Sequence, residues 1–304
     1  MTSSPALYLT TILIWGTSWF AIKFQLGVVA PEISLIYRFG LAAAILLIFC
    51  VLTSRDLRAS RRDHMFIAAQ GACLFSGNYL IFYHATALLT SGLIAVVFSS
   101  VIFMNMFNGA LFLKRRVEAM VLIGALFGIC GITLVFWPEI RGSAMRAGTT
   151  STVIHSLLLS IVATYLASVG NILSARNQQA GLPVVQTNTL GMGYGVLVML
   201  LYALISGADF ALDYRPGYFL SLLYLAVFGS VLAFGAYLTL IGRIGADRAA
   251  YATVLFPIVA LVISSVFEDF RWSVQALVGI GCVLCGNLLV TGLPRRRQPV
   301  QSQS

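Results

Sequence analysis

Ten runs of about twenty mostly apolar residues follow one another with only short turns between them, and few folds tolerate such a pattern. The runs lie near 7–26, 32–52, 65–86, 91–113, 118–137, 153–175, 184–206, 217–241, 249–267 and 273–293. A helix of about 20 apolar residues crosses some 30 Å of hydrocarbon. Inside a bilayer every backbone N–H and C=O needs a partner from its own segment, so such runs are read as helices. Composition agrees: 10% of the residues are charged, against about 25% in a soluble domain. The expected fold class is therefore all-α and integral to a membrane. The formal net charge of +9 raises nucleic acid as a partner, but the cations sit in short loops between apolar runs and build no basic face. Nucleic acid is excluded, and the lipid bilayer is the expected surrounding. All five cysteines lie inside apolar stretches, which argues against a disulfide framework. Cys282-Val283-Leu284-Cys285 is read as helix packing, because no βαβ pattern surrounds it. No basic residue precedes the first run and further spans follow, so that run is read as a span rather than a cleaved leader. Pro31, Pro138, Pro183 and Pro216 are assigned to turns, where a missing N–H costs least.

The chain also repeats itself. An offset of 155 positions carries Ala95 to Ala250, Phe112 to Phe267 and Arg116 to Arg271. The same offset carries Leu122 to Leu277, Gly124 to Gly279, Cys130 to Cys285 and Gly131 to Gly286. Each copy reads as an apolar helix, a short charged turn and a second apolar helix that begins among small residues. An internal repeat of this kind sets the architecture. Each copy belongs to a half of five spans, residues 1–140 and 150–293, followed by a disordered cytoplasmic tail at 294–304. Five is odd, so the halves cross in opposite directions: ten transmembrane helices as two inverted five-helix repeats. In transporters built this way the substrate site lies near mid-bilayer at the repeat interface.

Orientation follows from the basic residues. With the N-terminus inside, thirteen of the nineteen Lys and Arg face the cytoplasm, including Arg55, Arg58, Arg61, Arg62, Lys114, Arg115, Arg116 and Arg295 to Arg297. Four face outward (Arg141, Arg146, Arg215, Arg271), and Lys23 and Arg38 lie within spans. By the positive-inside rule both termini are cytoplasmic. The localisation expected is the bacterial inner (plasma) membrane, multi-pass.

Several motifs resemble a known family. Ile14-Trp15-Gly16-Thr17-Ser18-Trp19 in span one and Tyr37-Arg38-Phe39 in span two are similar to its opening elements. Thr90-Ser91-Gly92, Ser99-Ser100 and Lys114-Arg115-Arg116 follow, and Phe256-Pro257 and Gly279 to Gly286 mark the second half. The chain resembles the drug/metabolite transporter superfamily, in particular its ten-helix EamA-type exporters, over nearly its whole length. Two departures stand out. Ile102 replaces a proline that this sequence keeps only as Pro257, and the turn after span four reads Lys-Arg-Arg-Val rather than Gly-Glu-Arg. Among subfamilies the resemblance is to the YddG-type exporters of aromatic and other amino acids. It implies a small-molecule, amino-acid-like substrate, alternating access and no cofactor.

Polar groups inside a membrane are costly and so draw attention. Arg38 lies about 9 Å inside the outer end of span two, at 1.5 Å per residue. It either bonds helix carbonyls or another helix, or meets a substrate carboxylate. Lys23 lies nearer the surface and snorkels. Trp15, Trp19 and Lys23 share one face of span one at i, i+4 and i+8, which is either a stacking wall or lipid and core packing. Span three carries Asn78, Tyr79 and Tyr83; span four, Ser99 and Ser100; span six, Thr164, Ser168 and Asn171. Span eight carries Ser230, Phe234 and Tyr237, and span nine Phe256 and Pro257. Each is a helix-packing or hydrogen-bonding residue in one reading and a cavity wall in the other. Aromatic surface interleaved with hydrogen-bonding groups is what an amphipathic pocket needs. Gly124-x-x-x-Gly128 and the Gly279, Gly281, Gly286 set are assigned to close helix packing. Spans five and ten are placed at the periphery, each holding its own half together.

No acidic side chain reaches mid-depth; Glu32, Glu118 and Glu268 sit at span ends. A bare cation finds no counter-charge there, so the walls favour a neutral or zwitterionic molecule with an apolar body, such as phenylalanine or methionine. The flow expected is facilitated rather than proton-driven. Purines stack on the same surfaces, and a purine, nucleoside or proton-coupled drug exporter is the alternative. An intramembrane enzyme needs a buried nucleophile and base, paired aspartates or a metal set; no catalytic or metal site is expected. A receptor is the remaining class, separable by transport in sealed vesicles. The chain is expected to work as a monomer.

Overall fold

The computed structural model describes residues 3–113, 119–144, 150–244, 249 and 251–291. The turn Lys114-Arg115-Arg116 with Val117 and Glu118, together with Arg146, Arg248, Ala250 and the tail from 294, lies outside the described residues. Among the described residues all regular structure is helical, with no strand. The first half contributes α1 (Ser4–Lys23), α2 (Pro31–Leu52), α3 (Arg61–Ala72), α4 (Asn78–Leu88), α5 (Ser91–Phe98), α6 (Val101–Leu113) and α7 (Ala119–Ala144). The second contributes α8 (Thr150–Gln179), α9 (Val184–Ser206), α10 (Pro216–Tyr224), α11 (Ala233–Ile244), α12 (Tyr251–Phe267) and α13 (Val274–Thr291). Wide π-helical segments join α3 to α4 (Cys73–Gly77) and α10 to α11 (Leu225–Leu232).

Among the described residues seven helices are long and apolar enough to cross a membrane, and Leu122–Pro138, Leu255–Phe267 and Val274–Leu289 form shorter apolar helices. Their outer faces are dressed for lipid: Leu52 is 79% and Ile205 78% exposed, with Leu126, Leu201, Leu220 and Val266 in the same state. An apolar surface on this scale is untenable in water.

The local chemistry explains most helix ends. Pro31 and Pro216 open α2 and α10, where no N–H is required, and Pro183 sits at the N-cap of α9. Ser60 caps α3 by accepting from the Asp63 N–H at 3.1 Å. Gly207 ends α9 with φ of 67°, in the left-handed region that favours glycine. Pro138 departs from the expected turn, because α7 continues through it to Ala144. It removes only the rung to the Leu134 carbonyl, and the neighbouring rungs carry the helix past.

The fourth apolar run, expected to be one helix, is broken at Ser99-Ser100 into α5 and α6. No proline is involved. The Ser99 hydroxyl donates to the Val96 carbonyl at 2.6 Å, and the Ser100 hydroxyl to the Val97 carbonyl at 2.7 Å. Serine hydroxyls that bond their own backbone compete with the helical ladder and bend it. Ile102 therefore stands beside a break that serines supply.

The 155-residue offset reappears in the packing. It carries Cys73–Gly77 onto 228–232, inside the second π-helical segment. A Cβ built on Gly131 would fall 2.5 Å from the Gly279 carbonyl oxygen, and one on Gly279 would fall 2.6 Å from that of Gly131. One on Gly286 would meet the Gly124 oxygen at 2.6 Å. The offset relates 124 to 279 and 131 to 286, so these contacts are reciprocal, as in an isologous interface. Spans five and ten thus pack on each other across the halves, rather than each holding its own half together. The reason is the glycine stripe, which lets two backbones touch. Of that set Gly281 has nothing within 4 Å. Elsewhere α1 lies against α11 and α12, and α8 lies against α3, α4 and α6. The first span of each half is therefore buried in the other half, and the main core forms around this exchange.

Candidate functional site

The exchange of α1 and α8 leaves a cavity at the centre of the bundle. Trp15 and Trp19 of α1 form one wall. The Trp15 ring meets Phe234 at 5.1 Å, Tyr237 at 4.8 Å and Phe256 at 6.2 Å between centroids. Trp19 meets Phe82 at 5.0 Å edge-on and stacks on Phe256 at 6.2 Å. Arg38, Asn78, Tyr79 and Asn171 complete the wall. Nine of the residues singled out in the sequence therefore line one space: Trp15, Trp19, Arg38, Asn78, Tyr79, Asn171, Phe234, Tyr237 and Phe256.

Seven others do not line it, Ser230 among them, which bonds Arg38 from behind the lining. Ser99 and Ser100 spend their hydroxyls on the Val96 and Val97 carbonyls, and Thr164 donates to the Ser160 carbonyl at 2.6 Å. Ser168 accepts from the Asn108 side chain at 2.8 Å. Tyr83 and Pro257 are buried in the packing behind the wall. Small hydroxyls inside a helix find their own i−3 and i−4 carbonyls first, so spacing alone does not reveal which way they turn.

The structure adds Ser18, Ile22, Leu74, Phe98 and Ala167 to the lining, together with Phe82, which shares the helical spacing of Tyr79 on span three. Ser18 and Phe82 had a signal in the sequence beyond that spacing. Ser18 lies three residues from Trp15, on the same helix face. The repeat offset pairs Tyr79 with Phe234 and Phe82 with Tyr237. The two π-containing rods thus present aromatic rings at equivalent positions, with the hydroxyl exchanged between them.

The second π-helical segment makes the polar part of the site. Such segments misalign the backbone ladder and are frequent at functional sites. Here the Gly229 carbonyl accepts from the Trp15 indole N–H at 3.3 Å. The Ser230 hydroxyl donates to the Leu225 carbonyl five residues back at 2.9 Å, and accepts from Arg38 Nε at 3.0 Å. Gly229 also clears the ground: a Cβ there would be 3.2 Å from Ser18 Oγ and 3.3 Å from Arg38 Nη2.

Arg38 is the chemical centre. It is 1% exposed. Its guanidinium carbon lies 4.5 Å from the Tyr79 ring centroid and 5.1 Å from that of Phe39. The guanidinium interacts with the Tyr79 and Tyr83 hydroxyls, but Nη1 makes no hydrogen bond of ordinary geometry among the described residues, and no carboxylate there pairs with it. A buried cation without an anion is expensive, and cation–π contacts offset about 0.5–2 kcal/mol of that. The arrangement accepts an anionic group in an apolar, aromatic surround.

This conformation is closed. The cavity leaves about 40 Å³ for the centres of water molecules, enough for a few waters and far below the roughly 300 Å³ of small-molecule sites. At the Lys23 end a polar lock joins three rods. Glu268, which follows α12, accepts from Lys23 Nζ at 3.5 Å, from the Ser91 N–H at 3.1 Å and from the Ser264 hydroxyl at 2.5 Å. The Ser91 hydroxyl also bonds Glu268, and Lys23 Nζ donates to the Leu89 carbonyl at 2.6 Å. Lys23 thus does more than snorkel. The carboxylate sits on the N-terminus of α5, where the helix dipole favours it. At the lock a groove of about 600 Å³ opens, lined by Phe20, Phe24, Leu88 and Phe267 together with Lys23 and Glu268 themselves. Among the described residues no cluster of His, Cys, Asp or Glu could hold a metal ion.

A bundle of lipid-facing helices around an aromatic cavity, with a lock at one mouth, defines a membrane carrier for a small molecule. The chain belongs to the EamA-like transporter family, which matches residues 3–137 and again 154–292, within the drug/metabolite transporter superfamily. It is similar to the uncharacterized inner membrane transporter YedA of Escherichia coli K12, at 25% identity over 92% of this chain and 87% of that one. It is also similar to a protein of Salmonella typhimurium named as a probable amino-acid metabolite efflux pump, at 23% identity over 92% of each chain. A crystal structure matches 96% of this chain and 98% of its own with a TM-score of 0.68 at 17% identity, a likeness of fold. The protein is a multi-pass membrane transporter of this family, whose members carry solutes rather than catalyse reactions.

Proposed function

We propose that the protein exports amino acids, aromatic ones included, across the bacterial inner membrane by alternating access. The observation that carries this reading is Arg38: a buried guanidinium with an unpartnered Nη1, facing a cavity walled by Trp15, Trp19, Tyr79, Phe234, Tyr237 and Phe256. A carboxylate supplies the missing anion, and a planar fork grips it better than an ammonium would. The rings take the apolar body. The name of the Salmonella relative points to the same substrate class, and that of the Escherichia relative to the same membrane.

The architecture proposed is ten transmembrane helices in two inverted halves, 1–140 and 150–293, both termini cytoplasmic, acting as a monomer. Its support is the reciprocal glycine contacts, the π-helical segments at equivalent positions and the exchange of α1 and α8. The two family matches fall on the same halves. Alternating access then closes one mouth while opening the other around a fixed site. The lock of Lys23, Ser91, Ser264 and Glu268 is the closed outer mouth. No carboxylate lines the cavity, so flow follows the substrate gradient.

The test is counterflow of labelled phenylalanine in liposomes. Removing a stacking or hydrogen-bonding wall costs on the order of 1–3 kcal/mol, about 5- to 150-fold in apparent affinity. Tyr79→Ala, Trp19→Ala and Arg38→Gln are each expected to fall in that range. Wild-type rates in all three folded variants place the site elsewhere. Purines stack on the same walls; a wild type that moves adenine or cationic dyes and ignores amino acids refutes the substrate assignment.

A further inference from the structure

The cavity holds a second unsatisfied group, of opposite polarity to the first. Asn171 of α8 lines the cavity and is 2% exposed. Its Nδ2 donates to Asn105 Oδ1 of α6 at 3.4 Å; its Oδ1 meets no partner, and neither does Asn105 Nδ2 behind it, but of the two amides it is Asn171 that lines the cavity. Buried side-chain amides are normally satisfied, and each exception needs a reason. Arg38 offers the same cavity a donor without an acceptor; Asn171 offers it an acceptor without a donor. The repeat does not require either of them. The offset relates Arg38 to Gly193 and Asn171 to Gly16, so each polar group faces the site from one half only.

We propose that Arg38 and Asn171 divide the two charged groups of an α-amino acid between them: the substrate carboxylate on Arg38 and its ammonium on Asn171 Oδ1. This rests on the amino-acid reading above and adds the orientation of the substrate and the basis of its selection. A neutral amide oxygen suits an ammonium here. The ammonium enters with its own carboxylate, so the bound substrate adds no net charge to the site and needs no acidic side chain. Trp15 and Tyr237 line the same cavity, and aromatic rings attract an ammonium group. A molecule with the ammonium alone meets the Arg38 charge uncompensated and is rejected. A molecule with the carboxylate alone satisfies Arg38 but leaves Asn171 Oδ1 unpaired, which costs the desolvation of that oxygen. The order expected is α-amino acid, then acid without the amine, then amine without the acid.

Counterflow of labelled phenylalanine, inhibited by unlabelled phenylalanine, 3-phenylpropionate or phenethylamine, reads this order directly. Asn171→Leu is expected to weaken inhibition by phenylalanine about tenfold and that by 3-phenylpropionate less than threefold. Asn171→Asp places a carboxylate where the amide oxygen was, and phenethylamine is expected to gain at least tenfold relative to 3-phenylpropionate. Each comparison is a ratio within one protein, so a loss of folded transporter does not mimic it, and the two variants move the ratios by different routes. Binding to purified protein, read by thermal shift with the same three ligands, serves for any variant too slow to transport. Absence of phenylalanine counterflow in the wild type overturns the amino-acid reading and this proposal with it. Wild-type transport with unchanged ratios in both variants overturns the Asn171 assignment alone. A loss of 3-phenylpropionate rather than of the amine preference in Asn171→Leu means that the amide binds the carboxylate, and reverses the orientation.

Discussion

Substituting Gly131 by alanine tests whether the two halves really meet through bare backbone. The built Cβ falls 2.5 Å from the Gly279 carbonyl oxygen, 2.6 Å from Val283 Cγ2 and 2.8 Å from the Val283 nitrogen. An ordinary carbon–oxygen contact is about 3.3–3.6 Å, so α7 and α13 must separate by close to 1 Å. Neither obstructing backbone atom can rotate aside. A gap of that size forfeits about a quarter to a half of the dispersion energy along the seam, and overpacking of this kind costs about 1–3 kcal/mol. The better helix propensity of alanine returns up to about 1 kcal/mol. The net expected loss is about 1–2 kcal/mol, or several degrees of apparent melting temperature in detergent. Gly279→Ala should cost the same, because its Cβ meets the Gly131 oxygen at 2.6 Å. The double variant should cost less than the sum, since the first methyl has already parted the helices. Gly281→Ala is the control: nothing lies within 4 Å, so its melting temperature should hold or rise slightly. If Gly281→Ala loses as much as Gly131→Ala, or Gly131→Ala loses nothing, the interlocked seam is wrong.

Three more outcomes follow from the geometry. Glu268→Ala removes the acceptor shared by Lys23, Ser91 and Ser264; a cysteine at Ser18, with the native five removed, should then label from outside about tenfold faster, whereas an unchanged rate would show that the lock does not hold the mouth. An imposed pH gradient at fixed substrate gradient should change the transport rate little; strong acceleration would direct attention to Glu268 and Glu32, each 8% exposed, Glu268 as a side chain. Single cysteines at Arg58 and Tyr214, both exposed in loops, should label from opposite faces, the first from the cytoplasm only; labelling of both from one face defeats the span count.

The asymmetry of the site has a packing logic. The offset relates Trp15 to Gly170 and Asn171 to Gly16, so bulk in one half answers glycine in the other. Those glycines are needed where they stand: a Cβ on Gly16 would fall 2.6 Å from Val259 Cβ, and one on Gly170 would fall 2.7 Å from Leu74 Cβ. A duplicated scaffold thus keeps its seams alike while its cavity diverges.

Hydropathy and the repeat made the helical membrane fold legible, because lipid leaves the backbone one economical solution and an apolar run of fixed length announces it. The aromatic wall was equally legible: Trp15, Trp19, Tyr79, Phe234, Tyr237 and Phe256 are bulky residues at helical spacing, and rings of that size must fill whatever space the helices enclose. Orientation of small polar groups was not. Ser99, Ser100 and Thr164 share the spacing of true lining residues, yet each hydroxyl turns to a carbonyl of its own helix. Long-range partners were hidden for the same reason. Glu268 reads as a span-end carboxylate until the fold brings it to Lys23 and Ser91, residues 245 and 177 positions away. Nor does any periodicity announce the widened turns at Cys73–Gly77 and Leu225–Leu232. A π-helical segment differs from an α-helix by a single carbonyl offset, which tertiary packing sets, and it is that offset which turns the Gly229 carbonyl to Trp15 and the Ser230 hydroxyl to Arg38.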